Sequence, residues 1–344
     1  MKKGTDKFIK YLREYFTVYL PKQKNASIHT VTSCRQTWNL LLKHIAENQG
    51  VLLANITFPV LNRAAITGFL EHMAETRNWT HTTYNQRLCC IRSFFKYASG
   101  CEAILSVFRD ELAGIPLKKG SQTKTIKFME RNAVKEILRQ PDASSPKGVR
   151  DQFFMILMYD TAARNSEMLN MRFSDFDVEN QTVYLLGKGA KQRQVPVTTD
   201  TTAHFRNYAK LFHSEGDNTL PMFYTIHRRE KTPMSDDNVS RFIKAHSLSA
   251  RERCSDIPEK VHPHMLRHSR AMHLYRAGMP LALLSEWLGH EDPETTLIYA
   301  YADTEMKRKA IEKAMGSNDP LGGIENSRIW EGNEDIIQRL CGLK

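Results

Sequence analysis

The chain has 344 residues, of which 41% are apolar and 25% are charged, and its net charge is +11. This length allows two domains with separate cores, and the composition excludes a disordered or fibrous chain. Its apolar runs are too short to cross a bilayer, and residues 1–10 lack the apolar core of a signal peptide, which predicts a cytoplasmic protein without membrane contact. The six cysteines form no CxxC pair, which favours reduced, structural thiols.

The positive charge is concentrated in the first third of the chain. Residues 1–120 contain 17 lysines and arginines against 8 acidic residues. Each cation that neutralises a phosphate releases counterions and so strengthens binding to a polyanion. Because many basic proteins bind no nucleic acid, the charge alone leaves that partner open.

Residues 1–116 are predicted to form a helical bundle, because apolar side chains recur at three- and four-residue spacing. Two of the helices are expected over residues 60–77 and 80–98. The second of these carries basic residues that form a candidate phosphate-binding face, the alternative being a solvated face opposite a core stripe. These residues are Arg87, Arg92 and Lys96.

A basic linker is predicted over residues 117–127, LKKGSQTKTIK, which separates two regions of apolar periodicity. It contains four lysines, one glycine and no acidic residue. Such a segment could follow a DNA backbone. Its candidate DNA contacts are Lys118, Lys119 and Lys124.

Residues 128–315 are predicted to form a mixed domain. Helices are expected over 130–139 and 150–161, and TVYLLGKGAKQRQVPVT at 182–198 indicates two strands joined by a glycine-containing turn. Helices are expected again after residue 200. The fold class is therefore mainly α with a small antiparallel β-sheet, an α+β protein with an N-terminal helical bundle.

The end of the second region shows clear helix punctuation. Two helices between residues 261 and 290 are divided at Gly278 and stopped at Gly289. Asp292 and Pro293 are expected to begin a short helix that holds Tyr299. In the tail, residues 316–344, a short helix over 333–340 presents apolar side chains on one face, which predicts docking on its own body or on a neighbouring subunit.

Several residues with chemical potential occur in a fixed order. Each has an ordinary explanation by itself: a hairpin lysine is usually solvated, a helical histidine is usually structural, and a tyrosine can be core. The interpretation therefore depends on the ordered set. It consists of Arg164 in TAARNSE, Lys188 at the hairpin tip, His264 and Arg267 on one helical face in HMLRH, then His290 and Tyr299.

This ordered set resembles the tyrosine recombinase family, also called the phage integrases. The motifs are TAARNSE, GKGAKQRQVPV, HMLRH and LGHEDPETTLIY, and they run through the whole second domain. Residues 1–115 match only loosely, as a helical DNA-clamping domain. One departure is Ala162 and Ala163, where the family usually has a glycine and a larger apolar residue. The resemblance implies catalytic roles for Arg164, Lys188, His264, Arg267, His290 and the nucleophile Tyr299, with Glu167 as an orienting residue.

The resemblance also implies a function. A member of this family is expected to cleave and rejoin DNA site-specifically through a 3′-phosphotyrosyl intermediate and a Holliday junction, without metal, cofactor or ATP, in the integration or excision of a mobile element. Its partner would be double-stranded DNA with paired recombination sites. The protein would be a monomer in solution and a homotetramer on DNA, with accessory DNA-bending or partner recombinase proteins, at the bacterial nucleoid.

The residue types suit this reaction physically. Two arginines can stabilise the negative charge that gathers on the nonbridging oxygens of a phosphodiester, and a histidine adds a further hydrogen bond. Lys188 can donate a proton to the departing 5′-oxygen, and His264 is assigned to accept one from Tyr299. Tyr301 is a weaker nucleophile candidate, because two residues turn a helix by roughly 200° and only one of the tyrosines can face the phosphate.

Three other interpretations remain. A zinc hydrolase could use His262, His264 and His268 with Glu291 or Asp292. A noncatalytic DNA-binding protein could use the helices on either side of Gly278 as a helix-turn-helix. A type IB topoisomerase-like enzyme would share the tyrosine chemistry, although the helical front domain and the C-terminal helix favour recombination.

Overall fold

The computed structural model describes residues 3–119, 126–187, 191–214, 219–227, 230–290, 292–302, 308 and 332–343. The chain divides into two compact units, Met1–Thr123 and Lys124–Lys344. No helix in these described ranges is long and apolar enough to span a membrane.

The described part of the first unit is built from helices. They are α1 (Lys3–Glu14), continued by a π-helical segment (Tyr15–Gln23), α2 (Ile28–Gln49), α3 (Arg63–Thr76), α4 (His81–Cys101) and α5 (Ser106–Ala113). Side chains of Ser27, Asn62 and Thr80 accept hydrogen bonds from backbone N–H groups at the starts of α2, α3 and α4. The prediction of a helix over 60–77 was early by three residues, because Phe58–Leu61 forms a separate 3₁₀ turn and Asn62 caps α3.

Aromatic rings fill the interior of this unit. The rings of Trp38 and Phe94 lie 4.7 Å apart in an edge-to-face arrangement, and Phe8 contacts both rings. Such pairs add to the free energy gained by burying the rings. All three side chains are at most 2% exposed, so the bundle has a core of its own.

Two of the three basic residues of the expected phosphate-binding face on α4 have hydrogen-bonding partners within the first unit. Arg87 donates to the Ser33 carbonyl and the Thr37 hydroxyl, at 2.9 and 2.8 Å, and so joins α4 to α2. Arg92 donates to backbone carbonyls at the end of α5, those of Leu112, Ala113 and Ile115. These guanidinium groups satisfy helix-end and backbone acceptors inside the bundle, whereas Lys96 is exposed.

The second unit combines helices with two small antiparallel sheets. Its helices are α6 (Arg131–Leu138), α7 (Pro146–Thr161), α8 (Asn165–Asn170), α9 (Thr199–Phe212), α10 (Asp236–Arg251), α11 (Pro263–Arg276), α12 (Leu281–Leu288), α13 (Glu294–Ala302) and α14 (Glu334–Leu340). Its strands are β1 (Phe176–Asp177), β2 (Thr182–Leu186), β3 (Gln192–Pro196), β4 (Tyr224–His227) and β5 (Glu230–Pro233).

The first sheet has the order β1-β2-β3, with Val183 opposite Val195. It confirms the hairpin that the sequence predicts, and the α+β fold class is confirmed as well. The second sheet, β4-β5, was not predicted, since only helices were expected after residue 200. Its strand β5 is exposed along its whole length and lacks apolar alternation, which is the signal that identifies a strand in a sequence.

Two apolar clusters support the site. The larger one includes Phe153 and Phe154 of α7, which contact the ring of Phe223. The smaller cluster joins the end of α7 to α11, α12 and α13 through Ala162, Ala271, Met272, Leu284, Leu288 and Tyr299. Ala162 and Tyr299 of the sequence motifs belong to this smaller cluster.

Candidate active site

Arg267 is the most deeply buried arginine of the site. It lies on α11, which begins with Pro263, and its side chain is 5% exposed. The guanidinium group donates to the Ala162 carbonyl at 2.6 Å and to the Leu288 carbonyl at 2.7 Å. Burial and the nearby Arg164 lower the pKa of Arg267 to about 10, so it stays protonated at neutral pH. The arginine thus joins the ends of α7 and α12.

Arg164 lies in the turn between α7 and α8. Ala162 ends α7 in the left-handed region, with φ +53° and ψ +30°, which turns the chain sharply before the arginine. This conformation costs an alanine about 1–2 kcal/mol and a glycine little, which explains the family's preference for glycine here. Arg164 donates to Glu167 Oε1 and to the Gly289 carbonyl, both at 2.8 Å, and its side chain is 30% exposed.

Glu167 is the buried anion that holds the cations together. Its side chain is 1% exposed and accepts hydrogen bonds from the Arg164 backbone N–H and from the Arg164 and Arg193 guanidinium groups. Burial would raise its pKa, but the bonds and charge of Arg193 and then of Arg164 outweigh it and lower the pKa of Glu167 to about 2. The carboxylate is therefore ionised at neutral pH.

Arg193 is a site residue that the sequence interpretation missed. It lies on β3 and donates twice to Glu167, at 2.8 Å each, while its Nε donates to the Trp287 carbonyl at 2.9 Å. A signal was available in the sequence. Arg193 and Val195 share one face of the strand, and an arginine on the buried face of a strand needs a partner.

The β2-β3 hairpin approaches the site at Gly187, the residue before Lys188. Gly187 donates its N–H to the Lys191 carbonyl at 2.8 Å, and a methyl group at Gly187 would lie 3.5 Å from Glu167 Oε1. The backbone of β2 therefore ends against the buried carboxylate. Lys188 itself lies outside the described residues, as do Lys124 of the predicted linker and Glu291.

His290 follows α12 directly. Gly289 ends that helix with φ +61°, and His290 Nδ1 lies 2.8 Å from the Thr296 hydroxyl at the start of α13. Burial, and then the charges of Arg267 and Arg164, lower the pKa of His290 to about 4. The imidazole is therefore neutral at pH 7, and its contact with Thr296 ties the two helices together.

Tyr299 is on α13 and is 1% exposed, whereas Tyr301 is 71% exposed. The two hydroxyl groups are thus on opposite sides of the helix, as its geometry predicts. Burial raises the pKa of Tyr299 to about 12, although Arg267 and Arg164 act against it. The Tyr299 hydroxyl lies 3.0 Å from His268 Nδ1, a contact that the sequence interpretation did not predict.

His264 is exposed near the start of α11, and its ring centre is 6.5 Å from that of His262. Partial desolvation and then Arg267 lower its pKa below the usual value. Among the described residues, no three histidine, cysteine or acidic side chains are grouped to hold a metal ion. The described part of the chain therefore does not bring His262, His264 and His268 together as a zinc site.

The family models match both parts of the chain. The model of the phage integrase family matches residues 127–306, and that of the phage integrase N-terminal SAM-like domain matches residues 13–100. The chain therefore belongs to the phage integrase family, the tyrosine recombinases. As a member, it is a DNA strand-exchange enzyme.

Curated relatives agree with this assignment. The chain is 32% identical over 304 residues to the integrase/recombinase designated y4rC of Sinorhizobium fredii, with 88% of this chain and 90% of that protein covered. It is 30% identical over 242 residues to tyrosine recombinase XerC of Bacillus subtilis, with 68% and 75% covered.

Solved structures share the fold. The Tn1549 transposon integrase in complex with transposon right end DNA superposes with a TM-score of 0.65 at 15% identity, covering 91% of this chain and 99% of that chain. The XerH site-specific recombinase in a post-cleavage complex with palindromic difH substrate gives a TM-score of 0.63 at 19% identity, covering 90% and 89%.

Proposed function

We propose that this protein is a site-specific recombinase in which Tyr299 attacks a DNA phosphodiester and forms a 3′-phosphotyrosyl bond. The observation that carries the proposal is the group of charges around one tyrosine. Arg164 and Arg267 are close enough to influence the pKa values of both Tyr299 and His290, and Glu167 holds Arg164 in place. Two guanidinium groups beside a nucleophile suit a reacting phosphate.

The reaction divides among the side chains as follows. Arg164 and Arg267 donate to the nonbridging oxygens, and His264 and His290 add hydrogen bonds there. Lys188 protonates the departing 5′-oxygen, which leaves a free 5′-hydroxyl. The phosphotyrosyl bond retains the energy of the broken phosphodiester, so the reverse attack by a 5′-hydroxyl rejoins DNA without ATP. No step assigned here needs a metal ion.

The burial of Tyr299 adds a requirement. Its side chain is 1% exposed, so a DNA phosphate reaches the hydroxyl only after a local displacement of the residues that cover it. We infer that DNA binding opens the site.

The proposal extends to how the protein binds DNA and assembles on it. The first unit clamps double-stranded DNA, with Lys96, Lys118 and Lys119 as phosphate contacts, and two DNA sites are exchanged through a Holliday junction. The protein is a monomer in solution, forms a homotetramer on DNA and docks its C-terminal helix, α14, on a neighbouring subunit. Accessory DNA-bending or partner recombinase proteins assist, at the nucleoid in the bacterial cytoplasm, in integration or excision of a mobile element.

The test is covalent trapping. The full-length protein is incubated with a library of nicked duplexes from its genomic surroundings, and adducts are separated on a denaturing gel and mapped by mass spectrometry. Tyr299→Phe is expected to abolish the adduct, and Tyr301→Phe, the matched control on the same helix, is expected to retain it. An adduct that persists in Tyr299→Phe would assign the nucleophile elsewhere, and DNA binding without any adduct would favour a noncatalytic protein.

A further inference from the structure

One residue that contacts the nucleophile has no role in the reaction described so far. His268 follows His264 by four positions on α11, one turn of the helix, and its Nδ1 lies 3.0 Å from the Tyr299 hydroxyl. The ring centres are 6.0 Å apart and inclined by 53°. This is hydrogen-bond distance and brings an imidazole to the reacting oxygen.

The direction of this hydrogen bond follows from the charge of the imidazole. Burial, and then His264 and Arg267, lower the pKa of His268 to about 4, so the ring is neutral at pH 7. The phenol is protonated, because its pKa is about 12. The phenol O–H therefore donates to Nδ1, and the proton of the neutral ring is on Nε2.

The reaction also requires a proton acceptor beside the Tyr299 hydroxyl. At neutral pH a phenol with a pKa of about 12 is almost entirely protonated, so its proton must leave as the oxygen attacks phosphorus. Tyr299 is 1% exposed, and its hydroxyl lies at hydrogen-bond distance from His268 Nδ1. This side chain is therefore in position to accept the proton.

His264, to which the sequence interpretation gave this role, is not in contact with the nucleophile. Among the described residues, the histidine that is hydrogen-bonded to the Tyr299 hydroxyl is His268 and not His264. His264 is exposed, and it lies close enough to Arg267 and Arg164 for both to lower its pKa. It is better suited to a nonbridging oxygen of the phosphate.

We propose that His268 is a further catalytic residue, which accepts the phenol proton of Tyr299 during cleavage and returns it during rejoining. This proposal rests on the proposed function. In cleavage, the Tyr299 O–H bond breaks and its proton moves to His268 Nδ1, while the phenolate oxygen bonds to phosphorus. The bond from phosphorus to the 5′-oxygen breaks, and the 5′-oxygen takes a proton from Lys188. In rejoining, each transfer reverses.

The phosphate itself assists this transfer. His268 is surrounded by the positive or titratable groups of His262, His264 and Arg267 along α11, by His290 after α12 and by Tyr299 on α13. Arg267 is the permanent cation of this set, and it opposes a charge on the imidazole when DNA is absent. A phosphodiester anion bound beside Arg267 offsets that repulsion, so the imidazole becomes a stronger base when substrate is bound.

The experiment measures the single-turnover rate of adduct formation with a nicked duplex that the wild-type protein has been shown to cleave. His268→Asn is the informative variant, because an asparagine can replace Nδ1 as a hydrogen-bonding partner but cannot take up a proton. We expect its rate to fall by about 100-fold or more, the usual contribution of a general base. His268→Leu, which also removes the hydrogen bond, is expected to be at least as slow.

A matched control is present on the same helix. His273 is 2% exposed, and its Nδ1 lies 2.8 Å from the Tyr159 hydroxyl, so it repeats the histidine–tyrosine contact away from the proposed catalytic residues. His273→Asn is expected to keep the wild-type rate per folded molecule, with folding checked by thermal unfolding. Equal rates for His268→Asn and His273→Asn would overturn the proposal.

A pH profile separates proton transfer from positioning. Without the internal acceptor, attack depends on the population of phenolate, which rises about tenfold per pH unit below the pKa of the tyrosine. The rate of His268→Asn should therefore climb steeply between about pH 7 and pH 9, and the wild-type rate should not. Parallel profiles for the two proteins would show that His268 only positions Tyr299.

A DNA substrate in which sulfur replaces the bridging 5′-oxygen shows whether His268 acts on the proton of the nucleophile or on the proton given to the leaving group. A thiolate leaves without protonation, so this substrate relieves a missing proton donor but not a missing acceptor. His268→Asn is expected to remain slow with it, whereas rescue would assign His268 to the leaving group and contradict the proposal.

If the wild type forms no adduct at Tyr299, the proposed function fails. If it forms one and His268→Asn is unimpaired, this inference alone fails.

Discussion

The interiors of the two units differ in kind. In the described part of the first unit, aromatic rings such as Trp38 and Phe94 form the core, and Arg87 uses its hydrogen bonds to join two helices at the rim. In the second unit a carboxylate and a guanidinium group, Glu167 and Arg267, are themselves buried. Burying a charge costs free energy unless it is paired, so the second unit depends on a set of mutual contacts that the first does not need.

This difference indicates where function constrains the fold. The aromatic core could be rebuilt with other apolar side chains of similar volume. The buried charges could not, because Arg267, Glu167 and Arg193 each complete the hydrogen bonds of the others or of nearby helix ends. Changes to Glu167, Arg193 and Arg267 should therefore alter catalysis and stability together, and changes to the aromatic core of the first unit should alter stability alone.

The largest effect is expected from Arg267→Ala. Losing a guanidinium group that faces the developing charge should slow adduct formation at least about 100-fold, as measured in a single turnover on a nicked duplex. Arg270→Ala is the control, since Arg270 is on the same helix but pairs with Asp160 at 2.8 Å. It should lower the thermal stability and leave the rate per folded molecule nearly unchanged. Equal losses of rate in both variants would contradict a special role for Arg267.

The next effect concerns acid stability. Glu167 has a folded-state pKa of about 2 against an ordinary value of 4.5, which corresponds to a contribution of about 3 kcal/mol to the free energy of unfolding. Because the folded pKa is depressed, this contribution is complete above about pH 5 and is lost as the pH falls from 4.5 towards 2. Glu167→Gln should therefore be less stable than the wild type at pH 7, and the difference should shrink below pH 4.5.

Denaturant unfolding of both proteins between about pH 7 and pH 3 measures this difference. Peptide-resolved hydrogen exchange on the full chain then locates it, and the loss of protection in acid should be larger in α8 and β3 than in α2 and α4. A constant difference between wild type and Glu167→Gln across this range would show that the carboxylate is not stabilised by its arginines.

A smaller effect tests the close contact at the end of α12. Gly289 has φ +61°, and a methyl group there would lie 2.9 Å from Arg193 Nη1. Gly289→Ala should lose about 1–2 kcal/mol through its backbone conformation and should also displace Arg193 from Glu167, which slows adduct formation. Gly50→Ala in the first unit is matched, with φ +64° and open space around it, and should show the backbone cost alone. A normal reaction rate for Gly289→Ala would mean that Arg193 adjusts without consequence.

The same contrast explains what the sequence could predict. Helices such as α4 and α11 and the hairpin β2-β3 were recognisable because apolar periodicity and glycine placement are local signals. The contacts of Arg193 and His268 were not, because they join residues 26 and 31 positions apart whose proximity is set by tertiary packing. The exposed strand β5 has no apolar period to detect. The burial of Tyr299 was likewise hidden, since a tyrosine on an apolar helix has the same pattern whether it is core or nucleophile.

The smallest effects distinguish the cations of the first unit from each other. Arg87→Met should cost about 1–2 kcal/mol of stability, because the Ser33 carbonyl and the Thr37 hydroxyl lose a charged donor. Lys96 is exposed, so Lys96→Gln should change stability by less than about 0.5 kcal/mol. If Lys96 contacts a phosphate, its loss should reduce the slope of log binding constant against log salt by about 0.9, and Arg87→Met should leave that slope unchanged. DNA binding constants of both variants, measured from low to moderate salt, give these slopes. An equal reduction of slope in Arg87→Met would mean that this arginine exchanges its internal partners for phosphate when DNA binds, and the first unit would then also use its interior contacts for function.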